Sequence, residues 1–103
     1  MVYLHVTFRV DAHLIDQYNA VFSGRFIPVL KELGFQCVGI WTTLVGNAGE
    51  YTEIWEFADI AEYYRKWNCM LADPRVREIL LITGPLVRDE VFKLMTPMPI
   101  GDT

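Results

Sequence analysis

Val2 to Val10 alternates without a break: Val2, Leu4, Val6, Phe8 and Val10 fall to one side, Tyr3, His5, Thr7 and Arg9 to the other. A period of two over nine residues predicts a strand with one apolar and one amphipathic face. The period then changes. From Asp11, a candidate N-cap, Leu14, Tyr18, Val21, Phe22, Phe26, Val29, Leu30 and Leu33 recur at three- and four-residue steps, which predicts an amphipathic helix. Pro28 lies inside that stripe, lacks an N–H and crowds the carbonyl of Gly24, so a kink is expected near Ser23-Gly24. Gly34 is the expected stop.

Phe35 to Leu44 and Glu50 to Phe57 read as two strands around "VGNAGE". Asp59 caps a second helix over Ile60 to Leu71, with Tyr63, Tyr64, Trp67, Met70 and Leu71 on its apolar side. Asp73-Pro74 opens a short helix that ends near Thr83-Gly84. Leu86 to Met95 is the fourth strand, and "TPMPIGDT" has no period. The reading is one domain over residues 1–95 and a tail over 96–103. The order β-α-β-β-α-β predicts an α+β, ferredoxin-like fold. Its four-stranded antiparallel sheet has strands one and three in the centre and helices on one face only.

The hairpin assigns the faces. A turn centred on Asn47-Ala48 sets Val45 opposite Glu50, Tyr51 beside Leu44, Trp55 beside Ile40 and Phe57 beside Val38. With Leu4, Val6 and Phe8 these form an apolar face under the helices, on which Glu53 and Thr42 are the only polar pair. The other face carries Trp41, Thr43, Thr52, Ile54 and Glu56 beside Tyr3, His5, Thr7 and Arg9. A solvated face has no use for Trp41 and Ile54, whereas interfaces are enriched in aromatic residues and Arg. A second copy of the chain is therefore the expected cover, with Tyr3, Arg9, Trp41, Ile54 and Glu56 at the interface.

Composition narrows the function classes. Of 103 residues, 52% are hydrophobic and 21% charged, which excludes a disordered chain and is rich for so small a monomer. A net charge of -4 without a Lys/Arg cluster argues against nucleic acid. No apolar run approaches the ~18 residues of a membrane span. The alternating start is unlike a signal peptide. Two cysteines make no disulfide framework, so a reducing cytoplasm is the expected location.

The stretch "GIWTTLVGNAGEYTEIWEF" resembles the NIPSNAP family, whose members often read G-Y-W-T-T-x-x-G followed by E-x-x-x-x-W-E-Y. The matching residues are Gly39, Trp41, Thr42, Thr43, Gly46, Glu50, Trp55 and Glu56, and Asp73-Pro74 is similar to a second family segment. The resemblance implies a dimeric α/β barrel, two sheets packed through their bare faces with the helices outside. Two positions depart from the pattern: Val6 stands where the first strand often carries Arg, and Glu53 where relatives often carry His.

Candidate chemistry centres on Glu53. Placed between Thr42, Tyr51 and Trp55 under the helices, it would be desolvated, and a carboxyl so placed can serve as a general base near neutral pH. Its structural alternative is a hydrogen bond to Thr42 or a tyrosine, or an ion pair with Arg25 or Arg65. His5, the other candidate catalytic group, shares its face with Arg9, Glu56 and Trp41. There it would shuttle a proton or bind a small anion, or belong to an interface network. Tyr18, Phe22, Tyr64 and Trp67, with Thr42, Tyr51 and Trp55, would line a ligand pocket or fill the core. No residue spacing suggests a metal, and no cofactor is called for. The expected function is that of a small NIPSNAP-like homodimer binding a partly apolar or aromatic molecule. The alternatives are a cofactor-free oxygenase or isomerase of the same barrel superfamily, and a protein-interaction module.

Overall fold

The structure, a computed structural model, describes residues 1–100. Strand β1, Val2–Val10, is followed by a helical arm made of α1, Ile15–Val21, a π turn, Phe22–Phe26, and α2, Ile27–Glu32. Strands β2, Gln36–Thr42, and β3, Glu50–Phe57, form the hairpin. Helices α3, Ile60–Ala72, and α4, Pro74–Thr83, precede β4, Val87–Met95. The strands lie in the order β2-β3-β1-β4, all antiparallel, as the sequence pattern predicts.

Local chemistry explains the boundaries. The disruption expected around Ser23-Gly24 takes the form of the π turn, in which the Ile27 N–H donates five residues back to the Phe22 carbonyl. The wider turn accommodates Pro28, which has no N–H to offer Gly24 and would crowd its carbonyl in a regular helix. Gly34, at φ 85°, ends α2. Its N–H donates to the Lys31 carbonyl and that of Phe35 to the Leu30 carbonyl, each at 3.0 Å, the paired bonds of a Schellman stop. Asp59 accepts from the Glu62 N–H at 2.7 Å and Asp73 from the Arg75 N–H at 2.8 Å, so both predicted caps form. Asp11 instead pairs with Arg88 and makes no side-chain cap bond.

Leu4, Val6, Phe8, Tyr51, Trp55 and Phe57 are buried on the helix side of the sheet. Facing them, Tyr18, Phe22 and Leu30 come from the first helical arm, Met70 from α3, and Val76 and Ile79 from α4. Among the described residues no element lies over the other side of the sheet, and Trp41 there is 50% exposed.

The hairpin register differs from expectation by two residues. Thr42 pairs with Tyr51 and Ile40 with Glu53, while Leu44 lies outside the strand and is almost fully exposed. An offset of two preserves which face each residue takes, so Trp41 still joins Thr52 and Thr7 on the open side. A register shift between Cys37 and Gly39 then changes the parity. Cys37 pairs with Trp55, and Val38, assigned above to the core, is half exposed. Phe35 fills the core position, with its ring 5.7 Å from Phe57 and 6.0 Å from Trp55.

The expected tail over 96–103 bears no regular structure through Ile100, and its last three positions lie outside the described residues.

Candidate functional site

Between sheet and helices lies a cavity of about 340 Å³. Leu4, Val6 and Phe8 of β1 and Glu53 and Trp55 of β3 form its floor. Tyr18, the π-turn rings Phe22 and Phe26, and Leu30 form one wall, and Trp67 and Met70 of α3 another. The deep residues are buried. Leu71, Leu80, Glu90 and Phe92 are exposed and mark an opening beside edge strand β4.

Glu53 is 7% exposed. Strand alternation sends it to the same side as Trp55, two residues on, and the indole Nε1–H donates to its Oε1 at 2.8 Å. The partners anticipated for Glu53, namely Thr42, a tyrosine, Arg25 or Arg65, are thus replaced by a tryptophan. Arg25 pairs with Glu78. Burial pushes the Glu53 carboxyl up to about 7, the Trp55 bond opposes this, and the nearby negative charge of Glu90 adds to it.

Glu90 owes its position to a bulge. The β1–β4 register shifts between Thr7 and Arg9, and Asp89 adopts φ 55°. The extra residue opposite Phe8 re-aims the chain, so that Glu90 borders the cavity together with Phe92 and Val87. Partial burial raises its carboxyl too. Burial also drives the Tyr18 hydroxyl well up, reinforced by the charge of Glu53.

Of the residues proposed to line a pocket, Tyr18, Phe22, Trp55 and Trp67 meet at this cavity, together with the candidate base Glu53. Three others lie outside its wall. Thr42 is exposed on edge strand β2. Tyr64 is 57% exposed and packs on Tyr63. Tyr51 is buried, but it is occupied in stacking on Phe8 and in donating its hydroxyl to Asn19 Oδ1 at 2.6 Å. His5 pairs with Ile54 in the ladder and points to the open side, so it and Glu53 are divided by the sheet and do not act on one atom within a chain. Tyr3, Arg9, Trp41, Ile54 and Glu56 share that open side as expected. The Trp41 indole lies across Gly39, where an added Cβ would come within 2.3 Å of the ring.

Glu90, Phe92 and Phe26 were missed as site residues. An unbroken strand pattern over β4 gives no sign of the bulge, and Phe26 reaches the cavity through the π turn. Among the described residues no group of three or more His, Cys, Asp or Glu could hold a metal ion. Among them, too, no helix is long and apolar enough to cross a membrane.

The NIPSNAP family model matches residues 3–101. A NIPSNAP family protein of unknown function from Agrobacterium tumefaciens is 26% identical, with a TM-score of 0.87 over 99% of this chain and 92% of that one. An uncharacterized NIPSNAP domain protein from Burkholderia xenovorans is 14% identical, with a TM-score of 0.88 over all of both chains. An antibiotic biosynthesis monooxygenase shares the fold at 16% identity and a TM-score of 0.70, over 96% of this chain and all of that one. The comparison with curated proteins returns no match.

Proposed function

This chain belongs to the NIPSNAP family, and on that premise we propose that it binds a small, partly apolar molecule between sheet and helices, working as a homodimer. One observation carries the reading: a ring-lined space of about 340 Å³ with a buried carboxyl on its wall. That volume is in the range of small-ligand sites, and a solid core would have left none. A few polar groups on an apolar wall are what fix a ligand's orientation. The open sheet face supports the homodimer, because Trp41, Val91 and Met95 remain 38–50% exposed in a single chain. Exposed free Cys37 and Cys69 fit a reducing compartment such as the cytoplasm.

Native mass spectrometry of protein purified from its own host is expected to give a two-chain species with extra mass that is released on denaturation. A single-chain species would remove the dimer. A species without added mass that also fails to take up phenyl-sized probes would remove the ligand.

A second reading is favoured by the proton affinity of Glu53. A carboxyl that titrates near neutral pH at an apolar cavity is poised for general base work, as in a cofactor-free oxygenase or isomerase acting on an aromatic or polyketide-like substrate. On this reading Glu53→Gln lowers kcat by about a hundredfold or more with KM little changed. Undiminished turnover in the variant would exclude Glu53 as the base.

A further inference from the structure

The cavity wall has an unusual balance of charge. Among its 18 lining residues are eight aromatic side chains and two carboxylic acids, and no Lys, Arg or His. Several cations of the helical layer are engaged elsewhere: Arg25 with Glu78, Lys66 with Glu62 and the Gly34 carbonyl, Arg75 with Asp73 and Glu32, and Arg77 with the Leu71 carbonyl. Glu53 Oε1 takes the Trp55 bond. Glu90 stands at the mouth.

Each class of ligand meets this wall differently. An anion would enter a space that already holds two acids and offers no positive group. A neutral molecule would satisfy the rings and leave both acids unused. A positive head satisfies both parts, because carboxylates bind cations through charge-assisted bonds and ring faces attract them through the quadrupole. The bulge at Asp89 brings Val87, Glu90 and Phe92 together on the cavity side of β4, so an acid stands in the apolar rim.

We propose that the cavity selects a small organic cation, an amine or quaternary ammonium with an aromatic or aliphatic body. Its head sits between Glu53 and Glu90, and its body lies among Trp55, Trp67, Phe22 and Phe92. The proposal rests on the cavity being a ligand site, as read above. A positive head also makes ionised Glu53 the favoured form, so binding near pH 6 releases a proton from that carboxyl. The titratable groups around it are Glu90 on β4, Tyr18 on α1 and Cys37 on β2.

The test is calorimetric titration of the full chain with three matched probes: phenethylamine, 2-phenylethanol and 3-phenylpropionate. At pH 8 the amine is expected to bind about tenfold or more tighter than the alcohol, with the carboxylate weakest. The amine's advantage is expected to fall to about threefold or less in Glu53→Gln and to shrink in Glu90→Gln. At pH 6, titration in two buffers of different ionisation heat is expected to show proton release with the amine alone. If the alcohol binds as tightly as the amine, the cavity remains a ligand site and the cation proposal is overturned. If the amine's preference is unchanged in both variants, its binding lies elsewhere and the assignment is overturned. If no probe binds, the ligand reading falls and the proposal with it.

Discussion

Glu53→Gln is expected to stabilise the folded protein by about 3 kcal/mol at pH 8 and to change little at pH 4. The cause is the cost of ionising a carboxyl against an apolar wall. Unfolded, Glu53 titrates near 4.5; folded, near 7. Below about pH 4.5 both states hold the proton and the group imposes no penalty. Between those values the unfolded chain has given up its proton while the folded chain keeps it, so the unfolded state binds fewer protons and stability falls as pH rises. Above about 7 the penalty is complete. Glutamine is neutral throughout, keeps the shape and can accept the Trp55 bond through its amide oxygen. Glu90 has the same sign, while Asp73, held down to about 2 by Arg75, acts in the opposite sense at lower pH. The difference between wild type and variant cancels those contributions. Urea denaturation of both proteins at pH 4, 6 and 8 measures it. Parallel stability curves would mean that the Glu53 carboxyl titrates normally, and the account of a desolvated site would fail. A carboxyl that weakens the fold at neutral pH is the kind of local cost that functional sites carry.

What was legible in the sequence was local or periodic. The alternation of Val2 to Val10, the proline within a helical stripe, the glycine stop and the Asp-Pro start each depend on a few adjacent residues, and each appears in the structure. Face assignment survived an error in the hairpin because the error equalled the strand period. Val38 shows the converse: one register shift sent it out and left the inside to Phe35. Glu53 could be named because a lone acid among apolar residues is visible in a strand. Glu90 could not, because its direction depends on a bulge fixed by pairing with a strand some eighty residues away in sequence. Tyr64 and Trp67 separate for a geometric reason. Trp67 lies on the side of α3 that reaches Phe92, and Tyr64, three residues earlier, is rotated toward solvent. The cavity itself is a mismatch of side-chain volumes across β1, β3, the π turn and α3, and no single segment records it.

Ile54→Arg is expected to weaken association of the proposed homodimer by about a hundredfold or more, which sedimentation equilibrium or light scattering measures. Ile54 lies on inner strand β3 at the open face, paired with His5 on one side and with Gly39, under the Trp41 indole, on the other. In a single chain that face meets water, so a guanidinium there is tolerated and the fold stays intact. Pressed against a second sheet, the same charge would be buried without an acidic partner on its own row, where the neighbours are His5, Gly39 and Lys93. Leu81→Arg is the control, since Leu81 is 79% exposed on α4 and should leave association unchanged. Equal association of wild type and Ile54→Arg would show that the chains do not meet through this face. The variant also separates assembly from binding. The described cavity wall lies on the far side of the sheet from Ile54. A single-chain Ile54→Arg protein should therefore still bind phenethylamine with wild-type preference. If binding were lost together with the dimer, the second copy would have to complete or brace the site, and the sheet would be the element that transmits its effect.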